Sequence, residues 1–357
     1  MTSVKVQGFQ GNNHSWSIVN QNISRSFIKK GFDVDIFSTN GLDYFPNDLK
    51  PYLRNQIKEH YDIQVSYTVM RNFPVYLSNG SKNRFGIWCY EWPILPEGFA
   101  KYYNFCDKIL APSNFTRNIF LQNKIPEDRV VTIPHGFNLD QYSSKEKYNL
   151  KTKASKKILV NIGQPHLRKN IQGIFEAYGR AFSKKDDVCL VAKISTKKVE
   201  NSFEANVDRI VYDFNRRYKN HAEVELIKEY VPDIVHLYNS CDIVFTMSHC
   251  EGYYLPGLEA QATGKINIAP RYGGQLDFLN DKNSLLIDGK IIRADPKMQY
   301  WKSNIMNTCF DPDINDAVDK LRLAVNSFDK LQKEHNQNID KVLTWDDVVD
   351  KIVELSV

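Results

Sequence analysis

The chain has 357 residues, 42% hydrophobic and 25% charged, with a formal net charge of +5. These are the proportions of a water-soluble globular protein, and the length suits two α/β domains better than one core. No apolar run reaches the roughly 18 residues of a transmembrane helix, and six scattered cysteines without a C-x-x-C pair exclude a disulfide frame or a zinc finger.

In chain order, MTSVKVQGF enters a strand directly, without the apolar stretch of a signal peptide, so a cytoplasmic protein is expected. The strand Val4 to Phe9 ends in a glycine loop containing Gly8 and Gly11, and a helix from Ser15 to about Lys30 stops at Gly31. Strands are predicted at Phe32 to Phe37, Val65 to Val69, Phe85 to Trp88, Lys108 to Leu110 and Val130 to Ile133, with Ser113 capping a helix to Gln122. A boundary is expected after Pro134-His135-Gly136-Phe137-Asn138, where the chain turns polar and lysine-rich from Gln141 to Lys157, which reads as a linker. The alternation then restarts, with strands at Ile158 to Ile162, Cys189 to Ile194, Val224 to Ile227, Ile243 to Thr246 and Ile266 to Ala269. Two such halves predict an α/β protein of two doubly wound domains facing across a cleft, with boundaries at 1–145 and 146–340. A helix over 341–357, capped by Thr344, is free to cross back to the first domain.

The strand from Ile158 runs into Gly163-Gln164-Pro165-His166-Leu167-Arg168-Lys169-Asn170 and a helix. Paired cations at a strand-to-helix turn suit a phosphate. Lys193 ends a neighbouring strand and either joins them or snorkels to solvent. Farther on, Glu251 follows the buried strand Ile243 to Phe245, and Pro256-Gly257 open a helix with Glu259 in its first turn. Free N–H groups at a helix start bind anions, and carboxylates on either side accept from hydroxyls. Two solvated glutamates would have the same spacing.

Glu251-Gly252-Tyr253-Tyr254-Leu255-Pro256-Gly257-Leu258-Glu259-Ala260, Gly264, Gly273-Gly274 and Asn283-Ser284-Leu285-Leu286 together resemble the E-x7-E block of retaining glycosyltransferases of the GT-B fold, those of glycosyltransferase family 4 above all. The resemblance covers most of the second half and the first only in patches. It implies GT-B architecture and hexosyl or pentosyl transfer from a nucleotide-diphosphate sugar, UDP-linked first and GDP-linked second, with no cofactor. In that reading Arg168 and Lys169 hold the leaving diphosphate, Glu251 and the backbone of Tyr253, Tyr254 and Leu255 contact the sugar, and Glu259 takes the ribose hydroxyls. Tyr230 and Val231 flank the base, Gly273 and Gly274 close the site, and Gly11 approaches the diphosphate. Glu91, in the W-x-x-E-W stretch Trp88 to Trp92, orients the acceptor or acts as base. The chain departs from the family at Tyr254, where glycine is common, and at Gln164, where arginine is common. No D-x-D triad of the kind that metal-dependent transferases use is found, so no metal is expected.

The acceptor stays open: a glycan or lipid-linked glycan, with peripheral membrane contact, or a hydroxylated base of DNA, which the mild positive charge admits. An epimerase or phosphorylase on the same scaffold, or an inactive sugar-nucleotide-binding protein, are the rival classes.

Overall fold

The computed structural model describes residues 1–11, 15–77, 81–194, 204–299, 306–335 and 342–356. The chain forms two compact units: Met1–Asn138 with Val342–Val357, and Leu139–Lys341. The division falls at Asn138, seven residues before the expected boundary, and the carboxyl-terminal segment belongs to the first unit.

The first unit carries six parallel strands, β1 (Ser3–Gly8), β2 (Asp33–Ser38), β3 (Tyr61–Tyr67), β4 (Ser81–Ile87), β5 (Lys108–Ala111) and β6 (Val130–Thr132), in the order β2-β1-β3-β4-β5-β6. The third strand begins four residues earlier than its predicted start at Val65. Asp62 and Gln64 make that stretch look polar, but Gln64 is buried and bonds Ser81, while Ile63 and Val65 align with Val4 and Val6 of β1. Helix α1 (Ser15–Lys29) packs Val19, Ile23 and Phe27 on this sheet. The last helix of the chain, Trp345–Glu354, lies against α1 and is tied to it by Ser26 and Lys29 on Asp346 (2.6 and 2.5 Å). Its start is a capping box of Thr344 and Asp347, which satisfies otherwise orphaned N–H groups.

The second unit has its own six-stranded parallel sheet: β7 (Lys156–Ile162), β8 (Val188–Ile194), β9 (Glu223–Ile227), β10 (Ile243–Phe245), β11 (Ile266–Pro270) and β12 (Ser284–Ile287), in the order β12-β11-β10-β7-β8-β9. Along β7, Ile158, Val160 and Ile162 enter one core with Ile174, Phe175 and Leu321, while Leu159 enters another with Leu237 and Tyr238. Strands buried on both faces require continuous apolar runs, which is how these segments read. A separate antiparallel hairpin, β13 (Gly289–Arg293) and β14 (Thr308–Pro312), leaves the end of β12 and had no counterpart in the sequence reading.

Candidate functional site

The second unit's sheet starts at β7 and grows both ways: β8 and β9 lie on one side, β10, β11 and β12 on the other. Ligands of open parallel sheets bind at such a switch point, outside the carboxyl ends of the strands. The turn after β7 carries Arg168 and Lys169, and the loop after β10 carries Glu251, so the pairing of Ile158 with Ile243 brings the two motifs together.

Arg168 Nη1 donates to Glu251 Oε2 and to the Cys250 carbonyl, both at 2.9 Å, and Lys169 Nζ donates to Glu251 Oε1 at 2.6 Å. Ser248 Oγ donates to the same Oε1 at 2.8 Å and shares a hydrogen bond with Thr246 Oγ1. Arg168 and Glu251 are buried. Burial pushes the Glu251 carboxyl upward, but the charges of Lys169 and Arg168 outweigh it and hold the pKa at about 2. The carboxylate therefore stays ionised. Asn170 turns the chain left-handed (φ 50°) and caps the helix Ile171–Ala181 by accepting from Gly173 N, fixing the Arg168-Lys169 turn at that helix start.

Glu259 lies one turn deeper than predicted. The helix Leu255–Ala262 begins at Leu255, with Tyr254 as its cap, so the first turn is Leu255 to Leu258 and contains no acid. Its carboxylate meets phenols instead of helix N–H groups: Tyr238 OH donates at 2.6 Å, and Tyr142 also donates. Tyr238 is in turn held by Asn161 of β7 (3.1 Å). Burial raises the Glu259 pKa, against the lowering effect of the two phenols. The paired glutamates thus occupy unlike environments, one between cations and one between hydroxyls. A carboxylate accustomed to hydroxyl donors can exchange them for a diol.

Tyr254, where the resembled family commonly has glycine, has φ 74°, a left-handed conformation that an L-residue adopts at a cost. Its ring covers Gly257, where a Cβ would come within 2.4 Å of it. Gly273 has φ 99° and its absent Cβ would stand 2.7 Å from the Glu251 carbonyl, which Gly274 N bonds at 2.8 Å. This glycine pair seats the Glu251 loop. Tyr253 is buried and meets Phe278 ring to ring at 5.4 Å, and Leu255 is half-buried at the helix start.

Lys193 is the last but one residue of β8, beside Asn161, half-buried, with its pKa lowered by burial. Tyr230 is exposed, whereas Val231 is buried in the core next to Leu237, which leaves only its backbone to face a ligand. Gly11 and Glu91 belong to the first unit. Gly11 is packed so closely on Gly41 that a Cβ would meet its carbonyl at 1.8 Å, a packing reason for the glycine; 12–14 of that loop lie outside the described residues. Glu91 is buried beyond the end of β4. Sequence reasoning missed Ser248, Tyr238 and Tyr142. Ser248, three residues before Glu251, could have been suspected; Tyr238 and Tyr142 reach Glu259 only through tertiary packing.

No known family's sequence pattern matches the chain. It is 23% identical over 233 residues to a protein of Sulfolobus islandicus filamentous virus (isolate Iceland/Hveragerdi) with the provisional name glycosyltransferase 45, covering 64% of this chain and 59% of that one. It is 24% identical over 195 residues to the lipopolysaccharide 1,2-N-acetylglucosaminetransferase of Salmonella typhimurium strain LT2, covering 53% and 49%. The chain thus matches about half of the length of these curated relatives. Among solved structures, Anabaena Alr3699/HepE in complex with UDP and glucose superposes with a TM-score of 0.73 at 11% identity, covering 99% of each chain. That likeness shows the fold: two α/β units of the kind found in GT-B glycosyltransferases.

Proposed function

We propose that the chain is a retaining, metal-independent glycosyltransferase that moves a sugar from a nucleotide-diphosphate sugar, UDP-linked in the first instance, to a hydroxyl of a glycan or lipid-linked glycan. The observation that carries this reading is the Arg168–Glu251–Lys169 cluster, its Arg168 and Glu251 buried, at the switch point of the second sheet. The names of the relatives point the same way: one acts on lipopolysaccharide and one structural neighbour binds UDP and glucose. They favour a glycan over a base of DNA.

Glycosyl transfer builds positive charge on the sugar carbon and negative charge on the departing diphosphate. Arg168 and Lys169 supply cations to that diphosphate in a site where burial strengthens each interaction. Glu251 keeps both cations in place and accepts from sugar hydroxyls; Glu259, already among phenols, accepts from the ribose. The backbone of Tyr253 to Leu255 completes the sugar contacts, and Glu91 orients the acceptor. The leaving phosphate takes the acceptor's proton on the same face of the sugar, which retains the anomeric configuration.

The test is a thermal-shift screen against UDP-, GDP-, ADP- and CMP-sugars with EDTA present, followed by NMR of the product anomer. A selective shift with a retained anomer is expected. No shift with any donor, or a shift only when a divalent metal is restored, would overturn the metal-independent donor site.

A further inference from the structure

Arg168 and Lys169 share one buried carboxylate, so the net charge of the three groups is +1. A diphosphate carries more than one negative charge and calls for further cations. Besides Lys193 on β8, a nearby segment that brings one is the β13–β14 hairpin. Its first turn, Pro296–Met298, comes within 8 Å (Cα to Cα) of the Leu167–Lys169 turn. The hairpin is also bonded to the site by backbone. His249 N donates to the Arg168 carbonyl (2.8 Å), Phe310 N donates to the His249 carbonyl (3.0 Å), and His249 Nδ1 donates to the Phe310 carbonyl (2.8 Å). The Phe310 ring stacks on Tyr272 at 5.4 Å and 5°. These contacts run from Arg168 through His249 to β14 without a gap, and Ala294 N on the Asn307 carbonyl closes the hairpin beyond them.

Lys297 sits in that turn. Its backbone N–H is taken by Asp295 Oδ1 (2.8 Å), which sets the turn, while its ammonium is exposed and makes no ion pair among the described residues. We propose that the turn Pro296–Met298 is part of the donor site and that Lys297 is a third cation there, a binding residue for the diphosphate of the sugar nucleotide. A lysine ammonium on a flexible stem can follow the phosphate as it departs, which the buried Arg168 cannot do. The inference rests on the donor-site reading above.

The test is titration calorimetry of UDP, GDP and ADP, in EDTA, into the wild-type chain and the variants Lys297→Ala, Lys297→Arg and Lys290→Ala. Lys290 is an exposed cation on β13 and controls for diffuse charge. For the diphosphate that binds, Lys297→Ala is expected to weaken affinity about tenfold, Lys297→Arg to restore it to within about threefold, and Lys290→Ala to leave it unchanged. The parent nucleoside should bind all four proteins alike. Wild-type affinity in Lys297→Ala would overturn the role of Lys297 and leave the donor site standing. An equal loss in Lys290→Ala would overturn it too, reducing the effect to general charge. Failure of all three diphosphates to bind the wild-type chain would overturn both readings.

Discussion

Glu251 and Glu259 shift in opposite directions, and this makes them separable by experiment. Glu251 drops from an ordinary 4.5 to about 2, which at 1.36 kcal/mol per pK unit is about 3 kcal/mol of stability. That contribution is fully present above about pH 4.5 and is lost as the pH falls towards 2. Glu259 is raised, so its sign is reversed: the folded state favours the protonated carboxyl and loses stability as the pH rises through the folded value. Glu251→Gln should therefore lower the melting temperature at pH 7.5 by the equivalent of about 3 kcal/mol, since it strands two half-buried or buried cations. Glu259→Gln should leave the melting temperature unchanged or raise it. Scanning calorimetry of both variants decides, and equal losses would contradict the two environments. Tyr254 sets two effects against each other. Glycine would relieve about 1–2 kcal/mol of left-handed strain, but deleting a buried aromatic ring costs about 3–5 kcal/mol. Tyr254→Gly should thus be destabilising by about 2 kcal/mol in urea unfolding; a gain in stability would mean that strain dominates.

At the scale of elements, the last helix is held by its cap, its close packing and its ion pairs, and these differ in size. Thr344→Ala removes a capping box and should cost about 1 kcal/mol. Gly136→Ala would drive a Cβ to 2.6 Å from the Trp345 backbone nitrogen, where nothing flexible can yield, and should cost about 1–3 kcal/mol. Lys29→Ala breaks only an exposed pair with Asp346, worth about 0–1 kcal/mol. Urea midpoints should fall most for Gly136→Ala, less for Thr344→Ala and least for Lys29→Ala. The caps at Ser113 and Thr344 were readable because a cap is a local pattern of a few residues. The start of β3 was not, because the burial of Gln64 depends on partners on neighbouring strands. Nor was Glu259's depth in its helix, which follows from the left-handed cap at Tyr254.

At the scale of the whole molecule, two units with separate sheets and cores should unfold in two calorimetric transitions. The switch-point cluster lies in Leu139–Lys341 alone. A nucleoside diphosphate at a hundred times its dissociation constant should stabilise that unit by about 2.7 kcal/mol. UDP is expected to move one transition and leave the other; an equal shift of both would show that the nucleotide engages both units.

By itself the sequence determined the alternation of apolar strands and amphipathic helices, hence two parallel α/β sheets, because burial on both faces demands continuous apolar runs wherever the strands end up. It also showed the groups of the candidate site, since a turn with two cations and a loop with a carboxylate are visible locally at Arg168-Lys169 and at Glu251. Only the tertiary structure decided which of these groups meet. Arg168 and Glu251 stand 83 positions apart and touch because β7 pairs with β10. Tyr238 reaches Glu259 because its helix packs on the same sheet face, and the hairpin reaches the Arg168 turn through His249. Strand order is settled by packing free energy summed over the whole unit, and no local run of residues encodes it.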